Sequence, residues 1–512
     1  MTASTSALIT ALMEPSRYPH PAPRVERVET HGAWVLLAGE HAWKIKKPVR
    51  LPFMDFSTLA LRRAACQAEV RLNRRFETSN PATHLYLDAR PILGPADQPR
   101  FGQAGADDDI AIDWAVHMRR FDEALRLDHL CARGDLKPEH LASLAQCMAS
   151  FQAAAAAAVA TADSVSDSLA FARDNLTTLR DGLNEAGDAA KLEQLSEWTE
   201  SSFQTLAPLM AQRLKDGRVR EGHGDLHLAN LVLIGNEVVP FDGIEFNDAL
   251  RWIDVASDMA FVWMDLLDHS QPGLANGLLS DWLDGSGDTS APDVLPFFAV
   301  YRALVRAKVA VIRSAQAGAD EAASLKEAQG YTALAQRIAQ PPAPQLVITH
   351  GLSGSGKTWA SSRWLQAEAS GRAIRLRSDV ERKRLHGLGA TQASGSGLNT
   401  GLYSPQAHTD TYAHLLERAR HLLQGGWSVL VDAAFLRRHE REAFAALANA
   451  INCPFHILAT EAPLAVLRER ITARQARGAD ASEATLIVLE QQLGWLESLS
   501  AAERAHCLPD AA

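Results

Sequence analysis

Residues 351–358 read GLSGSGKT. The stretch fits the eight-residue pattern G-x-x-x-x-G-K-[ST], follows an apolar run, LVIT (346–349), and leads into the helix-compatible WASSRWLQAEA (359–369). Strand, glycine-rich turn and helix in that order make a phosphate cradle. Gly351, Gly354 and Gly356 let the backbone curl so that loop N–H groups, those of Ser353 and Ser355 included, converge on phosphate oxygens at a helix N-terminus. Lys357 supplies the charge for the outer phosphates, and Thr358 a hydroxyl for Mg²⁺.

Downstream, short apolar runs alternate with helical stretches: LVITHG, AIRLRSD, SVLVDAAF, FHILAT. Such alternation predicts a parallel sheet with helices on its faces. Asp432 closes the SVLVD run, where an acid would help hold the metal. In RLRSDVERKRL (375–385), Asp379 follows another strand with Arg382 three residues on, so both share a helical turn; Asp379 is the candidate base for a substrate hydroxyl. LRERITARQARGADAS (467–482) places Arg470, Arg474 and Arg477 on one helix face, with Arg468 on the same helix. Arg474 and Arg477 are candidates to reach the transferred phosphate from a closing lid. These residues resemble the small P-loop kinases, the group of polynucleotide kinase, gluconate kinase and chloramphenicol phosphotransferase, over about residues 345–492. The resemblance implies that Asp379 and Arg382 act as base and substrate-orienting pair.

A second constellation lies upstream. HGDLHLAN (223–230) is followed by a strand, a turn and VVPFDGIEF (238–246). Read by roles, Asp225 receives the proton of an acceptor hydroxyl, Asn230 binds metal from the far end of the loop, and Asp242 bridges metal and nucleotide phosphates. Such a loop needs a strand lysine for the phosphates and a helix glutamate to hold it. HAWKIKKPV (41–49) offers Lys44 and Lys46 on one strand face, Lys44 preferred. The helix expected over about 57–76 sets Glu69 beside an apolar stripe of Leu61, Ala65, Ala68 and Leu72. This set resembles the aminoglycoside phosphotransferase family, kinase relatives that act on small molecules. The resemblance implies that Asp254 and Asp258 in RWIDVASDMA brace the catalytic loop. No G-x-G-x-x-G covers the phosphates; THGAWVLLAGEH offers only Gly32 and Gly39.

The chain of 512 residues is long enough for several domains. The clearest seam is QPPAPQ (340–345), which divides an expected kinase-like domain (1–340) from a P-loop kinase domain (346–512) across a proline-rich linker (341–345). The fold class expected is a mixed α/β and α+β two-domain chain: first a bilobal kinase-like fold with a small β lobe and a large helical lobe, then a parallel sheet flanked by helices. A weaker break at 285–293 reads as a loop inside the first domain. A net charge of -10 disfavours a nucleic-acid partner. Five scattered cysteines without a CxxC pair indicate neither a disulfide framework nor a zinc site and suit a reducing cytoplasm. The first twenty residues lack the pattern of a signal peptide. The uncharged tract 141–162 is too alanine-rich to span a membrane and reads as a closely packed helix.

The whole pattern resembles the bifunctional aminoglycoside phosphotransferase/ATP-binding proteins. The expectation is an ATP- and Mg²⁺-dependent phosphotransferase with two nucleotide sites and a small-molecule acceptor, a sugar, nucleoside or aminoglycoside-like compound. The alternatives are one catalytic domain with a nucleotide-binding regulatory partner, or a nucleic-acid end or protein as acceptor. Oligomeric state is not legible.

Overall fold

The computed structural model describes residues 3–51, 54–159, 163–183, 186–316, 320–390, 392, 402, 404–477 and 485–509. By contacts the chain divides into two compact units, one made of residues 1–147, 151–171 and 207–262, the other of 148–150, 172–206 and 263–512.

The first unit is built on a twisted antiparallel sheet. Its strands are β1 (Val25–Glu29), β2 (Ala33–Ala38), β3 (His41–Lys46), β4 (Tyr86–Leu93), β5 (Arg100–Phe101) and β6 (Asp113–Arg119), in the order β1-β2-β3-β6-β4-β5. Alternation along β2 and β3 gives the sheet two useful faces. Trp34, Leu36, Trp43 and Ile45 point to one side, where Leu8, Leu12 and Tyr18 from the N-terminal segment cover them. The other side receives the helix Leu59–Asn73, whose Cys66 and Val70 pack with Trp114 and Val116. Lys44 and Lys46 project toward this helix side, one residue out of phase with Trp43 and Ile45. A hairpin of β7 (Leu231–Ile234) and β8 (Glu237–Pro240) follows the HGDLHLAN loop and adds Val232 and Val239 to the same core.

The helix register differs slightly from the expected stripe. Leu61 is 41% exposed, whereas Arg62 is buried and pairs with Asp113 at 2.7 Å. The inward face therefore runs through Arg62, Ala65, Cys66, Glu69, Val70, Leu72 and Asn73, which keeps Ala65 and Leu72 of the expected stripe. The alanine-rich tract expected to be helical over 141–162 is helical only to the end of Pro138–Ala154; Ala157 instead bridges Arg220, and 160–162 lie outside the described residues, among which no helix is long and apolar enough to cross a membrane.

In the second unit a four-stranded parallel sheet has the order β10-β11-β9-β12, from β9 (Leu346–His350), β10 (Ala373–Arg377), β11 (Ser428–Asp432) and β12 (Phe455–Ala459). Every residue of β9 and β11 is buried, as expected for central strands covered on both faces. The outer edge at β10 is closed by the helix Pro272–Ser286. Asn276 accepts from the Ala373 N–H at 2.9 Å through Oδ1, and Ser280 Oγ accepts from the Arg375 N–H at 3.1 Å. Alternate N–H groups that would otherwise template pairing with another chain are thereby satisfied. Residues 285–293 hold the turn between this helix and the next, which begins at Ala291.

Candidate active sites

In the first unit the sequence-selected residues converge. Lys44 Nζ lies 2.9 Å from Glu69 Oε1 and 2.5 Å from Asp242 Oδ1. Lys46 Nζ lies 2.5 Å from Glu69 Oε2 and also pairs with Glu245. One carboxylate, fully buried, is thus shared by two strand lysines. The two lysines differ in what else they face: Lys44 lines a cavity of about 310 Å³ together with Asn230 and Asp242, whereas Lys46 does not line it. Burial pulls the Lys44 ammonium down, but Asp242, Glu69 and Glu245 outweigh it and hold it well above the ordinary lysine range. Asp242 is held below its ordinary value because Lys44 overrides the cost of its burial.

The HGDLHLAN loop is pinned from three sides. Asp258 accepts from the N–H groups of His223 (2.8 Å) and Gly224 (2.9 Å). His223 Nδ1 accepts from the Asp225 N–H at 3.2 Å, which leaves Nε2 to donate to the Phe241 carbonyl at 2.9 Å. Burial lowers the basicity of His223, so this neutral tautomer is the stable one. Asn230 Nδ2 donates to both the carbonyl and Oδ2 of Asp225, each at 2.9 Å, and His227 Nε2 stands 3.4 Å from the same Oδ2. Asp225 keeps a partly exposed side chain. Asp254, expected beside Asp258 as a brace, instead takes a two-pronged pair from Arg213 at 2.7 and 2.8 Å and accepts from the Ala256 N–H. Its role is to fix the start of the following helix.

Asp242 sits at φ 61°, a left-handed conformation costly for a non-glycine residue. The strain is held by neighbours the sequence reading missed: Tyr86 Oη accepts from the Asp242 N–H at 3.0 Å, and Asn73 Oδ1 from the Gly243 N–H at 2.9 Å. Glu245 was missed as well. Its signal was a second carboxylate three residues after Asp242 inside FDGIEF, next to a strand that carries two lysines rather than one.

In the second unit the phosphate loop joins β9 to the helix Lys357–Ala367. Gly356 has φ 102°, and a Cβ on Gly351 would meet the Thr460 carbonyl oxygen at 2.4 Å, so both positions require glycine. Lys357 Nζ donates to the carbonyls of Gly351 (2.9 Å) and Leu352 (2.8 Å). Burial holds this lysine below its ordinary range, with Asp432 and Asp379 opposing the shift only in part.

Gly354, Gly356, Ser353, Lys357, Thr358 and Asp432 all line a cavity of about 640 Å³, as do Asp379, Arg382 and Arg474. Gly351 and Ser355 are buried in the loop beneath it, where the Ser355 hydroxyl meets that of Thr460 at 2.7 Å. Arg382 pairs with Asp379 at 3.0 Å within the helix Ser378–Leu385. On the helix Leu464–Arg477, Arg470 donates to the Gly354 carbonyl at 3.1 Å, while Arg468 pairs with Glu490 away from the cavity. The side chain of Arg477 lies outside the described residues. Gln492 was not anticipated: its Oε1 accepts from the Ser353 N–H of the loop at 2.8 Å.

Comparison with known proteins places names beside these geometries. Residues 346–499 match the AAA domain family. Uncharacterized proteins of Mycobacterium tuberculosis and Mycobacterium bovis are each 29% identical to the chain over 476 residues, covering 92% of it and 91% of their own length. Among solved structures, a choline/ethanolamine kinase family protein from Mesorhizobium loti aligns with 14% identity and a TM-score of 0.41, covering 66% of this chain and 95% of its own. An aminoglycoside phosphotransferase from Alicyclobacillus acidocaldarius aligns with 14% identity and a TM-score of 0.36, covering 63% and 91%. The chain carries one unit in which strand lysines, a helix glutamate and loop carboxylates meet, and a second whose residues 346–499 match the AAA domain family.

Proposed function

We propose that the chain is an ATP-dependent phosphotransferase with two centres, each moving a γ-phosphate to a hydroxyl of a small molecule. The observation that carries this reading is the linked set in which Lys44 pairs with Glu69 and Asp242, Lys44, Asp242 and Asn230 line one cavity, and Asn230 binds Asp225, in a unit separate from the one that holds the phosphate loop.

In the first centre Lys44, positioned by Glu69, binds nucleotide phosphates. Lys46, paired with Glu69 and Glu245, holds the carboxylate that positions Lys44. Asp225 accepts the proton of the acceptor hydroxyl; Asn230 and His227 orient its carboxylate. In the second centre Lys357 leaves the Gly351 and Leu352 carbonyls for the outer phosphates, Asp379 takes the acceptor proton, Arg382 orients that acid and the acceptor, and Arg474 and Arg477 meet the developing charge. Magnesium fits both donor sets: Asn230 with Asp242 supply an amide and a carboxylate oxygen, Thr358 with Asp432 a hydroxyl and a carboxylate oxygen. Bound there it would neutralise phosphate charge and hold the phosphates in line.

The domain division that goes with this reading is a kinase-like domain at 1–340, a linker at 341–345 and a P-loop kinase at 346–512, working in the cytoplasm on successive steps of one metabolite. Calorimetry with AMP-PNP and Mg²⁺ tests the two-site core of it. Wild type should bind two nucleotides per chain, and Lys44→Ala and Lys357→Ala one each. A single site in wild type, removed by one of these substitutions alone, would refute the proposal.

A further inference from the structure

Resting on the reading of the second centre as a kinase, we propose that its acceptor carries an oxyanion, a phosphate monoester or a carboxylate, and that Arg437 is the residue that recognises it. The lining of the 640 Å³ cavity is unbalanced. Lys357, Arg377, Arg382, Arg437, Arg470 and Arg474 face three carboxylates, Asp379, Asp432 and Glu440.

Most of these cations have work inside the protein. Arg382 is paired with Asp379, Arg377 with Asp284 at 3.7 Å, and Arg470 donates to the phosphate loop. Arg437 differs. Among the described residues no carboxylate pairs with its side chain, and its guanidinium carbon lies 4.6 Å from the centre of the Trp495 ring. Glu440, the acid nearest in sequence, is engaged elsewhere: His408 Nε2 lies 2.7 Å from Oε1, and Oε2 accepts from the backbone N–H of Arg437 at 3.3 Å.

The surface beside Arg437 is aromatic: the His408 ring centre is 4.6 Å from that of Tyr412 and 5.8 Å from that of Trp495, and the Tyr412 hydroxyl accepts from the Phe435 N–H at 3.0 Å. A guanidinium held against an indole keeps its in-plane N–H fork for a planar, two-oxygen partner. An uncharged polyol entering this cavity would offer Arg437 only neutral hydroxyl acceptors for its lost water, whereas an oxyanion would complete a two-pronged, charge-assisted pair. The chemistry therefore points to an acceptor already phosphorylated or carboxylated, and places the second centre after a reaction that installs that group.

The test uses the full chain saturated with AMP-PNP and Mg²⁺, so that nucleotide sites are filled, and titrates inorganic phosphate and acetate in separate calorimetric arms. Saturable binding of either anion at one site per chain is expected, weakened at least tenfold in Arg437→Gln and also in Trp495→Leu. Phosphate alone would identify a phosphate-bearing acceptor, and acetate alone a carboxylate. Two nucleotides per chain in Arg437→Gln show that the variant is folded and the nucleotide sites intact. Absence of binding by both anions to wild type, or equal binding to Arg437→Gln, overturns the subsite. Loss of nucleotide stoichiometry in wild type would instead overturn the kinase reading beneath it.

Discussion

Lys46→Met should destabilise the first unit strongly at neutral pH and little in acid. Lys46 is 2% exposed and sits between Glu69, fully buried, and Glu245, whose side chain is 4% exposed. With Lys44 and Asp242 the cluster holds two cations against three carboxylates; the substitution leaves one cation against three. Removing one partner of a buried pair costs about 3–5 kcal/mol, because the remaining charge is stranded. For a unit of this size that corresponds to a fall in Tm of about 6–20 °C. Burial already raises the Glu245 carboxyl above its ordinary value. An acid raised on folding holds its proton longer in the native state than in the unfolded chain. Its contribution is therefore fully present below the unfolded value of about 4.3 and lost as pH climbs through the folded one. Without Lys46 that carboxyl rises further, so the penalty should be small near pH 4.5 and complete by pH 7. Scanning calorimetry of the full chain at pH 4.5, 5.5 and 7 reads this directly. A Tm within 2 °C of wild type at pH 7, or a larger loss at pH 4.5 than at pH 7, would refute the claim that Lys46 is held by buried charge.

Three further outcomes follow from the same geometry. Asp258→Ala leaves the His223 and Gly224 N–H groups without their acceptor, at about 1–3 kcal/mol each; kcat of the first centre should drop by two orders of magnitude or more with AMP-PNP affinity nearly unchanged, and Asp258→Asn should restore part of it, as kinetics and calorimetry would show. Each centre needs a charged lysine, and that charge disappears as pH rises; with Lys44 held above the ordinary range and Lys357 below it, the alkaline limb of kcat/KM should begin at lower pH for the second centre than for the first. Gly351→Ala drives a Cβ against the Thr460 carbonyl and should abolish one of two AMP-PNP sites while destabilising the second unit by about 1–3 kcal/mol, both measurable on the full chain.

The elements legible in the sequence are those whose chemistry is local. GLSGSGKT carries its glycines and lysine, and HGDLHLAN its glycine, carboxylate and amide, within eight residues each, and the apolar runs around 346–349 and 428–432 read directly as buried parallel strands. What escaped depends on partners far along the chain. The first turn of the Leu59–Asn73 helix buries Arg62, which Asp113 meets, so of the expected stripe Ala65 and Leu72 are buried while Leu61 is exposed. Glu245 gains its meaning from Lys46, 199 residues away, and Tyr86 from a backbone N–H 156 residues away. Gln492 carries no charge and no motif, and only the fold brings it to the Ser353 N–H. Asp254 and Asp258 look equivalent in RWIDVASDMA, yet Arg213 claims one and the loop the other.

The most direct measurement is transfer of labelled γ-phosphate from ATP into a panel of sugars, nucleosides, aminoglycosides and their phosphorylated or carboxylated derivatives, with wild type, Asp225→Ala and Asp379→Ala compared side by side. Two chemically separate centres predict two products, one lost in Asp225→Ala and the other in Asp379→Ala. If both substitutions remove the same single product, or neither removes any, the two-centre account is contradicted.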